Sequence, residues 1–258
     1  MRELLVIGVG AGDPEYVTVQ AIKALNRASV FFVADKGEDK ASLVALRREI
    51  CERYIERPAY RFVTLDDPVR DPAIQDYAER VRAWHAQRTE LLEQAIAREL
   101  PDNGCGAFLV WGDPSLYDST LRIVAELKQR GRVQFELTVI PGISSVQALA
   151  ARHQLILNRI GGAVQITTGR RLIEEGFPHE ADDVLVMLDG DCAFRTLPQA
   201  LQEQLEIYWG AYLGTPDELL AAGPVCEQSE PIQQRRAEAR EREGWIMDTY
   251  LLRRTRPR

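Results

Sequence analysis

The chain has 258 residues, enough for one large domain or two smaller ones that each bury a core. Its 45% hydrophobic and 28% charged residues are ordinary for a soluble globular protein. The formal net charge of -7 argues against a general nucleic-acid binder, yet leaves room for a polyanionic small molecule, which responds to the charge of its own cleft. The cysteines, Cys51, Cys105, Cys192 and Cys226, stand far apart with no CxxC pair, and His85, His153 and His179 are scattered. That pattern argues for a reducing compartment and against a metal cage or histidine-driven catalysis. The opening MRELLVIGVGAG lacks the long apolar run of a signal peptide, and no segment approaches a membrane span. The expected setting is the cytoplasm.

Leu4 to Val9 is a short continuous apolar run, the pattern of a central parallel strand, and it ends in Gly8-Val9-Gly10-Ala11-Gly12-Asp13-Pro14. Thr18 opens a helix with Ala21, Ile22, Leu25 and Ala28 on one face, and Ser29 to Ala34 is a second strand ending at Asp35-Lys36-Gly37. Ala41 to Tyr54 is an amphipathic helix with Arg47, Arg48 and Arg53 on or near its polar side. Arg61 to Ala73 reads as extended and turn-rich, and residues 74–100 as a long helix ending before Pro101. The run Phe108-Leu109-Val110-Trp111 then stops at Gly112-Asp113-Pro114, and the helix LRIVAELKQRG follows. Phe135 to Ile140 is a strand ending at Pro141-Gly142. Three strands therefore end in glycine turns, where ligands of open α/β sheets collect.

From Ile143 the pattern restarts with a helix rich in small residues, SSVQALAARHQL. Strands follow at Ala163–Thr167, at Asp183–Leu188 and at Glu206–Leu213, with a single helix expected over Phe194–Leu205. The stretch from Ile232 to Arg240 is helical or extended, and Trp245 to Leu251 forms a last strand. Two α/β domains, 1–141 and 142–258, are the simplest organisation. The first glycines invite a dinucleotide reading with Asp35 on a ribose, but the third fingerprint position holds Asp13, whose carboxylate would face a pyrophosphate.

These loops resemble the tetrapyrrole (corrin/porphyrin) methyltransferases. The family's GxGxGDPxxxT loop is matched by Gly8 to Thr18, its GDPxxY loop by Gly112 to Tyr117, and its PGxSS segment by Pro141 to Ser145 with Ala148. The order and spacing agree, and the likeness spans nearly the whole chain. Trp111 departs from the pattern, since most relatives carry glycine there. The resemblance implies two α/β domains of the tetrapyrrole methylase type with S-adenosylmethionine in the interdomain cleft, a homodimer, and S-adenosylhomocysteine as a product. It implies that Trp111, Gly112, Asp113, Leu116, Ser144, Ser145 and Ala148 line the cofactor site, with Met187, Leu188, Tyr212 and Leu213 added from strand ends of the second domain. Its closest form implies methylation of precorrin-5 at ring carbon C1 with loss of acetate, giving precorrin-6A.

Methyl transfer from a sulfonium needs positioning and desolvation more than a strong base, which suits a chain with few histidines. Deacetylation needs an activated water, and Asp13 and Asp35, both at strand ends, are the candidate bases. A corrin precursor bears many carboxylates, for which Lys36, Arg47 and Arg48 are the candidate partners. The open alternatives are another tetrapyrrole carbon, a non-tetrapyrrole acceptor and a non-catalytic sensor of adenosyl ligands. An NAD-dependent oxidoreductase is disfavoured by Asp13.

Overall fold

In a computed structural model of the protein, residues 1–35, 41–56, 59–69 and 71–255 are described. They form two units: Met1–Gly10 with Pro14–Ser144, and Ala11–Asp13 with Ser145–Arg258.

The first unit is a parallel sheet of β1 (Arg2–Gly8), β2 (Val30–Asp35), β3 (Arg61–Asp66), β4 (Cys105–Val110) and β5 (Phe135–Ile140), in the order β3-β2-β4-β1-β5. Helices α1 (Val19–Leu25), α2 (Ala41–Tyr54), α3 (Tyr77–Glu99) and α4 (Thr120–Arg130) connect the strands. The uninterrupted apolar run of β1 follows from burial on both sides. Leu5 and Ile7 join Ala21, Leu25 and Ile50 under α1 and α2, whereas Leu4 and Val6 join Leu92, Ile96, Val124 and Leu127 under α3 and α4. Each such fully buried aliphatic side chain contributes about 1.5–3 kcal/mol. Helix starts are capped as their sequences suggest: Thr18 Oγ1 accepts from Ala21 N at 3.1 Å, and Asp76 accepts from Glu79 N at 2.6 Å.

Arg61–Asp66, read as turn-rich extended chain, is the edge strand β3, paired in parallel with β2. Only Val63 of its six residues is fully buried, so the apolar run that marks an inner strand is missing.

The second unit has a mixed sheet in the order β6-β7-β10-β8-β9, with β6 (Val164–Thr168) parallel to β7 (Asp183–Met187). The other pairs, among β7, β8 (Leu205–Ala211), β9 (Leu219–Pro224) and β10 (Asp248–Arg254), are antiparallel. Helices α5 (Ser145–Arg152), α6 (Gly169–Glu175), α7 (Gln199–Gln202) and α8 (Val225–Glu243) complete it around a core of Trp209, Phe194, Tyr250, Ile207 and Leu252.

The single helix expected over Phe194–Leu205 is instead a 3-10 turn at Ala193–Thr196 followed by the short α7. Pro198 separates them: it pushes Leu197 into an extended conformation, ψ 145°, which no α-helix accepts. β9 escaped the sequence reading because LLAAGP is a weak, partly exposed edge strand. Helix α8 begins at Val225, earlier than its apolar signal. It buries Val225, Ile232, Arg236 and Ala239, one narrow stripe on a polar helix.

The ends of β1, β4 and β5 meet backbone to backbone. A β-carbon on Gly142 would lie 2.1 Å from the Gly112 carbonyl oxygen and 2.8 Å from the Gly8 carbonyl carbon. One on Gly8 would lie 2.6 Å from Gly142 N. Gly142→Ala is therefore expected to cost about 3 kcal/mol or more, since backbone on every side leaves nothing flexible to give way. Gly131, left-handed at φ 66° and facing open space, is the control: Gly131→Ala should cost about 1–2 kcal/mol, from backbone conformation alone. Urea unfolding of both variants reads the difference.

Candidate functional site

In the first unit, the three glycine loops lie at the carboxyl end of the sheet. Gly112 N donates to Gly10 O at 2.8 Å, and Gly10 N donates back to Gly112 O at 3.4 Å, so the first and second motif loops are bridged. Asp113 fastens the third: its Oδ2 accepts from Gly142 N at 2.9 Å, and its Oδ1 accepts from Ser115 N at 2.8 Å and from the Ser115 hydroxyl. Partial burial alone would raise the Asp113 pKa. The bonds from the Ser115 hydroxyl and the Gly142 and Ser115 amides outweigh it and hold the carboxyl below its usual range. One oxygen of Asp113 is thus committed to its own loop and the other to the third. Trp111 and Leu116 are half-buried on the same loop, and Leu116 N donates to Asp113 O at 3.2 Å. Ser144 is buried at the end of the third loop.

In the second unit, Ser145 opens α5 and Ala148 is buried on it. Met187 closes β7, and Leu188 follows in a left-handed conformation, φ 51°, with its side chain 64% exposed. A left-handed leucine is strained and persists only where its surroundings hold it. The holder is Asp189. Its carboxylate accepts from Asp191 N (2.9 Å), Ala193 N (2.7 Å) and the Tyr250 hydroxyl (2.6 Å), and its carbonyl accepts from Arg236. Arg236 is itself paired to Asp248 at 3.0 Å, and Trp209 Nε1 donates to the same Asp248 oxygen at 2.8 Å. Gly169 makes room, since a β-carbon there would lie 2.5 Å from Asp189 Cγ.

Tyr212, after β8, is likewise left-handed at φ 49°. Its hydroxyl donates to Trp245 O, its amide to Met247 O (3.0 Å), and its carbonyl accepts from Thr215. The Tyr212 ring therefore belongs to the core. Leu213 is buried, and its carbonyl lies against Gly12, where a β-carbon would come within 2.2 Å of the oxygen. Asp13 sits beside Gly12 in the short stretch that groups with the second unit and is half-buried.

Arg47 corrects the reading of α2. Expected on its polar side, it turns toward the sheet, and its Nε donates to Leu109 O at 3.0 Å. The β2–β4 pairing runs to Phe32 and Phe108, and Arg47 donates to the carbonyl of the next β4 residue. Burial lowers the pKa of Arg47 from its ordinary value, and Asp118 opposes this only in part. Arg48 stays exposed with its guanidinium 4.5 Å from the centre of the Phe62 ring, and Arg53 pairs with Glu15 on the surface at 2.7 Å. Asp35 ends β2 opposite Asp66, but its side chain, like Lys36 as a whole, lies outside the described residues.

Sequence reasoning missed the left-handed Leu188, Tyr212 and Tyr117, and the Asp189 network behind the first. Only the Asp189-Gly190 pair after the strand offered a signal. It also missed a cavity of about 130 Å³ in the first unit, lined among others by Phe32, Arg47, Arg88, Phe108 and Asp118.

The model of the tetrapyrrole (corrin/porphyrin) methylases matches residues 3–227. The chain belongs to that family. A precorrin-6A synthase [deacetylating] of Sinorhizobium sp. is 51% identical over 253 residues, 98% of this chain and 95% of the relative. Among solved structures, a cobalamin synthesis related protein (CobF) of Corynebacterium diphtheriae is 40% identical with a TM-score of 0.85, covering 99% of this chain and all of that one. A uroporphyrin-III C-methyltransferase of Thermus thermophilus, solved with S-adenosylhomocysteine, shares the fold at 18% identity and a TM-score of 0.56, covering 97% of this chain and 91% of that one.

Asp113→Asn should lower stability by about 1 kcal/mol at neutral pH, the low end for charge-assisted bonds because the group is partly in water. The wild-type pKa is depressed. Its contribution is therefore complete above the unfolded value of roughly 3.9 and is lost as pH falls through the folded one. Melting curves of both proteins should converge below that value. Tyr250→Phe removes a donor from the buried Asp189 and should cost about 1–3 kcal/mol, read by urea unfolding.

Proposed function

We propose that the protein is an S-adenosylmethionine-dependent C-methyltransferase of cobalamin (corrin) biosynthesis. In this reading it methylates precorrin-5 at C1 with release of acetate, giving precorrin-6A. The observation that carries the reading is the 51% identity to a precorrin-6A synthase [deacetylating] across 98% of the chain. The convergence of all three motif loops in the first unit supports it.

The residues suit an adenosyl ligand. Bare backbone at Gly112 and Gly142 lets amides and carbonyls approach a ligand closely. Leu188 holds an apolar side chain in the open at a strand end, a surface on which an adenine can stack. In the proposed site, the cofactor-binding residues are Trp111, Gly112, Leu116, Ser144, Ser145, Ala148, Met187 and Leu188. Asp113 acts by fixing the loop, and Tyr212 and Leu213 act by the shape of their turn. S-adenosylmethionine supplies an electrophilic methyl group on a sulfonium. The protein's part is to orient and to exclude water. Asp13 or Asp35 takes a proton from the water that releases the acetyl group, and Lys36, Arg47 and Arg48 meet substrate carboxylates. The homodimer rests on the family likeness, and the cytoplasmic setting on the isolated thiols of the sequence.

Incubation of the protein with labelled S-adenosylmethionine and precorrin-5, followed by mass spectrometry, tests this. One added methyl with free acetate is the expected result. Methylation without acetate keeps the family chemistry and overturns the deacetylating assignment. Neither transfer nor S-adenosylhomocysteine binding by calorimetry overturns the reading altogether.

A further inference from the structure

We propose that Tyr117 is a substrate-contacting residue, whose aromatic ring packs against the face of the tetrapyrrole acceptor. The proposal deepens the methyltransferase reading, and rests on it for the nature of that acceptor.

Tyr117 has φ 53° and is 46% exposed. A bulky side chain on a left-handed backbone is an outlier, and it persists only where the neighbouring chain dictates it. Both flanks of Tyr117 do so. On one side Leu116 N donates to Asp113 O at 3.2 Å, and the Asp113 carboxylate accepts from the Ser115 and Gly142 amides. On the other side Asp118 Oδ1 accepts from Thr120 N at 2.6 Å, and Ser119 Oγ accepts from Arg88 at 2.9 Å. The backbone is thus held from both ends, and glycine or asparagine would meet this φ with less strain.

The tyrosine side chain gives the fold nothing in return. Tyr212 shows the contrast. It is also left-handed, but it is 3% exposed, donates to Trp245 O and sets its ring edge-on to Trp245 at 5.0 Å. Cys192, left-handed as well, is buried. Among the described residues, by contrast, the Tyr117 hydroxyl makes no hydrogen bond and its ring meets no other ring or cation. A large aromatic that stands half-exposed in a strained position and stabilises nothing has its use outside the protein.

Its place on the loop says which ligand it meets. The residues of this loop proposed for the adenosyl ligand, Trp111, Gly112 and Leu116, are half-buried or buried, whereas Tyr117 stands at the exposed rim beyond them. A small ligand seated on bare backbone at Gly112 lies at the level of those residues. A macrocycle that covers the carboxyl end of the sheet reaches the rim, where an aromatic ring offers a large, stiff apolar face. Asp118 is exposed beside Tyr117, and its charge disfavours the acid groups of the acceptor there. The contact is therefore with the ring face of the acceptor, and the phenol hydroxyl is dispensable.

Fluorescence titration of the full-length protein with uroporphyrin, a stable tetrapyrrole polycarboxylate, tests the contact without methyl donor or turnover. Tyr117→Asn and Tyr117→Gly should weaken binding at least about tenfold, with Tyr117→Phe close to wild type. Urea midpoints of the Asn and Gly variants should match or exceed wild type, since both relieve the left-handed strain. S-adenosylhomocysteine affinity, by calorimetry, should be the same in all. With precorrin-5, the Asn and Gly variants should lose activity mainly through a raised KM, with kcat little changed. Absence of saturable uroporphyrin binding by the wild type overturns the proposal, as does wild-type affinity in both the Asn and Gly variants. A parallel loss of S-adenosylhomocysteine affinity, or lowered midpoints in both variants, also overturns it, because the loop and not the ring would then be responsible. The methyl-transfer assay judges the enzymatic reading separately. Transfer with unchanged Tyr117 variants sinks the contact alone, and Tyr117-dependent uroporphyrin binding without transfer supports the contact and sinks the enzymatic reading.

Discussion

Everything in the first unit depends on three glycines touching without side chains between them. Gly8, Gly112 and Gly142 follow three neighbouring strands, and at Gly8 and Gly142 the main chains approach to distances that no β-carbon allows. Strand ends in an open α/β sheet normally diverge into separate loops. Here they are drawn together and then fastened by the Asp113 carboxylate, which reaches from the second loop to the Gly142 amide. The result is a patch of bare backbone made rigid by hydrogen bonds. The sheet core beneath, with Leu4 to Ile7 fully buried on alternate faces, supplies the stability that such close packing requires.

The second unit solves a similar problem by opposite means. Its strand ends carry non-glycine residues, Leu188 and Tyr212, in left-handed conformations that cost about 1–2 kcal/mol each. That strain is held by buried polar groups: Asp189 by three donors to its carboxylate, and Tyr212 by Trp245, Met247 and Thr215. A fully satisfied network of this kind rigidifies, whereas a half-satisfied one would be worse than plain apolar packing.

Much of the architecture was legible in the sequence because burial writes itself as pattern. The apolar strands β1 and β4, the capped helices and the three glycine loops could be read directly. What escaped was decided by tertiary context. β3 and β9 lie at sheet edges, where partial exposure erases the apolar signal. Pro198 was visible, but whether it started a helix or split one depended on the core that captures Phe194. Arg47 could not be placed from spacing, because its partner is a backbone carbonyl on a strand 62 residues away. The site was legible in its motif loops. It was illegible in the residues that act by conformation, since nothing in the letter Leu188 announces a positive φ.

The three residues Ala11–Asp13 have a consequence for how this chain can be divided. They come from the start of the sequence, yet Gly12 packs on Leu213 and Thr215, and all three group with the second unit. A fragment beginning at Ser145 would therefore lack a piece of its own interior. During synthesis that piece emerges first and waits for the chain to reach the strand it belongs beside. The order of the residues along the polypeptide and the order in which the second unit becomes complete are thus different, and no single cut yields two intact halves.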